Sequence, residues 1–444
     1  MIEDAVIIFK ENSKKRILGL PIMLRIILSG HQSGLKNFFI VGNGRAEEIK
    51  FIETLKLDKR VQAHQLQISY LPLAELNSNS SRIFPGFRDK NFWLIDGDLI
   101  FSAKFFEQYK DLTEILQLPI IFISQKGDFD KNSLSWSGLA LCPGKIWPSL
   151  AMALAKKDTE VLLLTAAELF SEFSVRSERG EDDFLIRVRS KTDEKKVIQA
   201  LLKTARKPQD GFIAKHFNRH ISLFFTKHLV KLDVSPSLLS VLNFFIGITG
   251  AIIAGLGKGY WSFLAGGFLF EFSSIFDGCD GEVARLTYQT SKKGASFDVI
   301  FDALTYLLFF SGLAIGLYRH YQRSWYLILL GLFLLSLAWY YFNLNRYTRA
   351  SGIGNKIFLV AKEVEARPQK EKRLSLFDRL ASKLAFAVRR DFFATFVFLL
   401  IAAGFASSVL FLVAGGSLIE STYFHFYTSR QLKALKAQNR SLLT

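Results

Sequence analysis

Two regimes of hydrophobic patterning divide the chain. From residue 1 to about 206, short apolar runs alternate with segments of helical periodicity. The runs AVIIF, NFFIVG, LQISYL, FWLIDGD, LPIIFIS and FLIRVR predict strands, and PIMLRIILSGHQSG and SAKFFEQYKDLTEILQ predict helices. Such alternation predicts an α/β domain with a largely parallel sheet over residues 1–206. The stretch DGFIAKHFNRHISLFFTKHLVKLD then sets Phe, Ile and Leu at helical spacing with Lys, Arg and His between them. It predicts an amphipathic helix in the membrane interface over residues 207–235, with His216, His220 and His228 on its solvated basic face. Residues 236–430 hold six apolar segments, near 238–256, 260–276, 297–317, 325–342, 392–406 and 409–426. Several approach the roughly 20 residues that cross a bilayer, and the short ones can extend into their flanks. The expected architecture is a soluble α/β domain followed by an all-α membrane domain of six transmembrane helices and a tail, residues 431–444.

Composition sharpens this picture. Of 444 residues half are hydrophobic, 43 are Phe, and the formal net charge is +17. A basic, apolar chain of this kind fits a membrane protein whose cytoplasmic face carries the positive charge. Nucleic acid is excluded as a partner, because the apolar half offers no soluble nucleic-acid fold. Cys142 and Cys279 make neither a disulfide framework nor metal-ligand spacing. The opening MIEDAVIIFKENSKKR has too short an apolar run, preceded by acids, for a cleavable leader. Lys258 lies between the first two apolar segments, whereas Arg346, Arg349, Lys370, Lys372, Arg373, Arg389 and Arg390 crowd the loop after the fourth. Arg430, Lys433, Lys436 and Arg440 add charge after the sixth. The positive-inside rule then places that loop and both termini in the cytoplasm of a multi-pass inner-membrane protein.

The densest chemistry lies in DGCDGEVARLTYQTSKKGASFDVIFD, which opens at Asp277 and closes at Asp302. Carboxylates at the ends of membrane-length apolar segments are costly to desolvate and call for cations or protons. On helices, Asp277 and Asp280 share a face, and so do Asp298 and Asp302. Two such helices side by side would aim four oxygen-bearing side chains at one point. That is a hard-cation site, suited to Mg²⁺ or Mn²⁺ with phosphate as co-ligand.

The stretch resembles the signature of the CDP-alcohol phosphotransferase (phosphatidyltransferase) family, D-x2-D-G-x2-A-R-x8-G-x3-D-x3-D. Asp277, Asp280, Gly281, Ala284, Arg285, Gly294, Asp298 and Asp302 match every fixed position and every gap. The resemblance implies displacement at the β-phosphorus of a CDP-alcohol by an acceptor hydroxyl, with release of CMP. It implies two metal ions held by Asp277, Asp280, Asp298 and Asp302, with Asp302 also the base. CDP would be bound by Asp277, Gly281, Ala284, Arg285 and Gly294. Members of the family often carry an Asn after the proline that opens the first span and a Thr three residues further on; this chain has Ser237 and Ser240. Arg346, Arg349, Arg389 and Arg390 lie where a phosphorylated acceptor would need basic groups, although positive-inside loop charge accounts for them too. The expected partners are a CDP-alcohol donor, a hydroxyl acceptor, the lipid bilayer and a second copy in a homodimer formed through the membrane domain.

The order of pieces in residues 1–206 resembles a sugar-nucleotidyltransferase domain, with Asp98 in FWLIDGDLIF at the metal-ligand position and TDEKKVIQALL as the closing helix. The first loop reads KENSKKR, without the glycines that bring backbone N–H groups against phosphate. The second metal position falls among Arg187, Arg189 and Lys191, where a carboxylate is needed. The expectation is a domain that has lost its chemistry. The fusion of both parts resembles the bifunctional inositol-1-phosphate cytidylyltransferase and di-inositol phosphate phosphate synthases, which make CDP-inositol and couple it to a second inositol phosphate. Phospholipid synthesis from CDP-diacylglycerol stays open within the same class. A non-catalytic membrane scaffold is the reading from a different class, and the complete aspartate set argues against it.

Overall fold

The computed structural model describes residues 2–76, 90–107, 116, 120–125, 134–155, 184–206, 214–350 and 390–441. The chain divides into an N-terminal unit, Met1–Arg206 with Lys227–Asp233 and Val283–Gln289, and a helical unit of the remaining residues.

The described strands of the N-terminal unit are β1 (Asp4–Ile8), β2 (Arg16–Ile17), β3 (Leu20–Pro21), β4 (Asn37–Gly42), β5 (Gln67–Pro72), β6 (Asn91–Asp96), β7 (Leu99–Phe101), β8 (Ile120–Gln125), β9 (Leu134–Pro143) and β10 (Leu185–Arg187). Its helices are α1 (Ile22–Gln32), α2 (Ala46–Lys56), α3 (Lys59–Ala63), α4 (Lys104–Glu107), α5 (Trp147–Ala155) and α6 (Lys191–Thr204). The main sheet runs β5-β4-β1-β6-β9-β8. Strand β1 is buried along its whole length, as a strand covered on both faces must be. On one face Val6, Ile8, Val41, Phe92 and Leu94 pack on Trp147, Leu150 and Leu154 of α5.

The sheet is largely parallel, with one reversed strand. Strands β5, β4, β1 and β6 are parallel, but β9 runs antiparallel to both β6 and β8. Strand β9 escapes the hydrophobic pattern because LSWSGLALCP mixes Ser and Gly with its apolar residues and carries Gly138 at φ +99°. The run FLIRVR does form a strand, β10, but it pairs with β7 outside the main sheet. Of SAKFFEQYKDLTEILQ, only α4 is helical among the described residues. Helix α2, in AEEIKFIETLK, went unforeseen.

All six apolar segments of the helical unit are helices: α8 (Pro236–Gly255), α9 (Tyr260–Leu286), α10 (Lys292–Tyr321), α11 (Trp325–Ala350), α12 (Arg390–Ala402) and α13 (Ala406–Ser441), preceded by α7 (Arg219–Leu229). Four of them, α8, α10, α11 and α13, are long and apolar enough to cross a membrane. Helix α9 carries Glu271, Asp277, Asp280 and Glu282, and the described part of α12 is short. Helix α13 continues through most of the expected tail. Ser235 caps α8 by accepting from Leu238 N at 3.3 Å, with Pro236 at the first helical position.

Helices α8 and α10 meet along small residues. A Cβ on Gly316 would fall on the Ala254 carbonyl oxygen, and one on Gly312 on that of Ala251. In lipid, helices associate through such close backbone approach. The aromatic core follows from it, with Phe270 of α9 stacked on Phe309 of α10 at 4.1 Å between ring centroids. Gly316→Ala is expected to destabilise the helical unit by about 1–3 kcal/mol through overpacking. A lower thermal midpoint of the detergent-solubilised protein would show this; an unchanged midpoint would refute the seam.

Candidate active site

Three of the four signature aspartates come together. Asp277 and Asp280 sit in the last turns of α9, and Asp298 lies near the start of α10, which Ser291 caps by accepting from Gly294 N at 2.9 Å. One carboxylate oxygen from each of Asp277, Asp280 and Asp298 lies within 4.8 Å of the others. Asp280 is buried, and Asp277 and Asp298 are half-buried. Asp302, one turn further along α10 and also half-buried, stands outside this group. Two residues one turn apart on α8 support it from the side: the Ser240 hydroxyl donates to Asp280 Oδ2, and Asn243 Nδ2 donates to Asp277 Oδ1 at 3.4 Å.

Three carboxylates this close repel one another when ionised. The buried Asn243 Oδ1 beside them meets no hydrogen-bond donor among the described residues. An all-oxygen donor set of this kind fits a hard divalent cation such as Mg²⁺ or Mn²⁺.

Residues 233–377 match the CDP-alcohol phosphatidyltransferase family. The helical unit thus holds a transferase domain. A protein of Aquifex aeolicus named "Bifunctional IPC transferase and DIPP synthase" is 26% identical over 70% of this chain and 72% of its own length. An Archaeoglobus fulgidus protein of the same name is 36% identical over 29% of this chain and 25% of its own length. Among solved structures, the inositol-1-phosphate CTP transferase from T. maritima aligns with 45% of this chain and 94% of its own, at 13% identity and a TM-score of 0.33. UDP-glucose pyrophosphorylase from Acinetobacter baumannii aligns with 52% of this chain and all of its own, at 12% identity and a TM-score of 0.33.

The other residues of the phosphatidyltransferase signature take several places. Gly281 is half-buried on α9, and Gly294 opens α10 beside Ser291. Ala284 and Arg285 group with the N-terminal unit, where Ala284 is buried and Arg285 Nε donates to the Ala205 carbonyl at 2.7 Å. Arg346 and Arg349 line a hollow of about 390 Å³ with Phe342 and Asn345, and Arg346 Nη2 donates to Ser429 Oγ at 2.8 Å. Arg390 opens α12 with only its backbone described, and Arg389 lies outside the described residues. Sequence reasoning passed over Asn243, Glu282 and Arg219. An Asn in an apolar helix was the one available signal for the first of these.

In the N-terminal unit, Asp98 sits on the turn between β6 and β7, next to the fully buried Asp96. Of the three cations expected here, Arg187 is the one that arrives. Its Nη2 donates to Asp96 Oδ2, and its Nε lies 3.4 Å from Asp98 Oδ1. Lys10 Nζ adds a contact of 3.7 Å to Asp96. Arg189 and Lys191 are exposed. The first loop closes into a short 3-10 turn (Glu11–Lys14), whose buried Ser13 donates to the Gly97 carbonyl at 2.8 Å. Burial outweighs the pull of Arg187 and Lys10 and pushes Asp96 up to about 6.

Arg187→Met tests this arrangement. It removes the nearer of the two cations facing Asp96 and weakens the surroundings of Asp98, so a loss of about 3–5 kcal/mol is expected at pH 7.5. The loss should shrink at pH 5. The native Asp96 carboxyl lies above its unfolded value, so it takes up a proton first as the pH falls toward 5 and then needs no cation. Denaturant melts at both pH values measure this; a loss that is larger at pH 5 would contradict it.

Proposed function

We propose that the protein transfers a phosphoalcohol from a CDP-alcohol to an acceptor hydroxyl and releases CMP. The observation that carries this reading is the meeting of Asp277, Asp280 and Asp298 at one point within the matched family segment. Those residues would hold divalent ions, two by family resemblance, which supply charge neutralisation for the pyrophosphate and the departing CMP. The acceptor oxygen bonds to the β-phosphorus, and the bond from that phosphorus to the oxygen bridging to CMP breaks. Asp302, a turn beyond the metal-holding group on α10, takes the acceptor proton. The other signature residues are assigned to CDP. Arg346 and Arg349, facing a common hollow, are assigned to a phosphorylated acceptor such as an inositol phosphate. The helical unit would cross the membrane six times, dimerise through these helices, and keep its carboxylates and both termini in the cytoplasm. Asp280→Asn should lower CMP release by at least about a hundredfold, as loss of a charged ligand does, while membrane insertion persists. EDTA should do the same to the native protein, reversibly with Mg²⁺ or Mn²⁺. Full activity in the variant refutes the reading.

A second reading is bifunctional, with the N-terminal unit making the CDP-alcohol. The Aquifex aeolicus relative, aligned over 70% of this chain and named bifunctional, favours it. The local chemistry opposes it. Asp96 and Asp98 already face Arg187, a divalent cation would have to displace that guanidinium, and the closed KENSKKR turn brings no glycine to a triphosphate. The full chain supplied with CTP and inositol 1-phosphate should therefore give no pyrophosphate that depends on Asp98. Pyrophosphate release abolished by Asp98→Asn would establish the bifunctional reading instead.

A further inference from the structure

Glu282 lies in one of the two unassigned positions between Gly281 and Ala284, yet it is fully buried. Its carboxylate accepts from Arg219 Nη1 at 2.7 Å, from Ser222 Oγ at 2.7 Å and from Thr226 Oγ1 at 2.6 Å. The three donors stand at i, i+3 and i+7, so they form one stripe along α7. Two neighbours on α9 point the same way. A Cβ on Gly278 would come within 2.6 Å of Arg219 Nη1 and 3.4 Å of Ser222 Oγ, so the absence of a side chain there gives the guanidinium its room. Cys279 Sγ donates to the Ser222 carbonyl at 3.5 Å.

Helix α9 thus has two polar faces. Asp277 and Asp280 meet Ser240 and Asn243 of α8. Gly278, Cys279 and Glu282 meet α7. Successive helical residues are about 100° apart, so Asp280 and Glu282 project to well-separated sides. An apolar contact at position 282 would tolerate rotation of α9 about its axis. Three directional hydrogen bonds to both oxygens of one carboxylate do not. A buried ion pair is weak evidence for stability, and its best-attested use is to fix register.

We infer that Glu282 and Arg219 are positioning residues: their buried pair, with Ser222, Thr226 and the gap at Gly278, sets the rotation of α9 and so aims Asp277 and Asp280 at Asp298. The inference rests on the reading that these aspartates hold a divalent metal. The amphipathic helix α7 is then more than a membrane-surface element, since one of its faces is the back wall of the metal-holding segment.

The test uses the full-length protein in detergent, with Mn²⁺ binding followed by electron paramagnetic resonance alongside CMP release against Mg²⁺ concentration. Glu282→Gln keeps the shape and removes the charge; Gly278→Ala keeps Glu282 and displaces Arg219. Each is expected to weaken Mn²⁺ binding about tenfold, the loss typical when a supporting partner of a metal ligand is removed. CMP release should recover in part at high Mg²⁺, a signature that a general loss of folding would not give. If Glu282→Gln does not fold, Gly278→Ala and Thr226→Val, which leave both charges in place, decide the matter by the same Mn²⁺ titration. Native Mn²⁺ affinity in the folded variants overturns the inference. Asp280→Asn separates the two levels: if the native protein binds no Mn²⁺, or Asp280→Asn binds it equally well, the metal reading itself fails.

Discussion

A carboxylate inside an apolar helix bundle loses its hydration, and the loss of several kcal/mol per ion has to be offset by donors placed around it. Helix α9 carries four such groups, Glu271, Asp277, Asp280 and Glu282, and polar side chains from three other helices meet them. Ser240 and Asn243 of α8 serve Asp280 and Asp277. Arg219, Ser222 and Thr226 of α7 serve Glu282. Thr395 of α12 donates to Glu271 Oε1 at 2.8 Å. Each pairing fixes a rotation and an axial height for one helix against α9, which nonspecific apolar packing cannot do.

Each unit brings carboxylates together in its own setting. In the N-terminal unit, Asp96 and Asp98 receive a guanidinium from the chain itself, delivered by β10. The tethered guanidinium offsets part of that charge, while Asp96 Oδ1 and Asp98 Oδ1 accept no hydrogen bond among the described residues. In the helical unit, carboxylates from two helices converge on one point with neutral donors from α8 behind two of them. A divalent ion held there would offset the mutual repulsion of those oxygens.

What the sequence disclosed follows from the range of the interactions involved. The aspartate group was legible because helical periodicity alone brings Asp277 near Asp280, and the apolar runs on either side imply adjacent helices. Strands β1, β4, β5, β6 and β8 were legible as apolar runs of strand length, whereas β9 was hidden by its Ser and Gly residues. The choice among Arg187, Arg189 and Lys191 depended on pairing register: β10 lies antiparallel to β7 with Arg187 opposite Leu99, the residue after Asp98. The Arg219–Glu282 pair spans 63 positions, and the amphipathic pattern of α7 had absorbed Arg219 into a solvated basic face. Local periodicity distinguishes polar from apolar positions, but it does not say whether a polar position faces water or a buried partner.

The glycine seam between α8 and α10 completes the geometry. Helix α8 presents Ser240 and Asn243 to α9, and one turn beyond Asn243 it presents Gly247 to α10. A Cβ on Gly247 would come within 2.5 Å of Thr305 Cγ2. Thr305 lies one turn beyond Asp302, itself one turn beyond Asp298. The separation of α8 and α10 at Gly247 therefore sets how near the acidic turns of α10 come to the level of Ser240 and Asn243, and hence to Asp280 and Asp277. A bulkier residue at 247 would act on the carboxylate group without touching it, by moving the helix that carries Asp298 and Asp302. The small residues of α8 and its two inward polar residues are parts of one arrangement: the first bring α10 close, and the second hold the aspartates of α9 that α10 must meet.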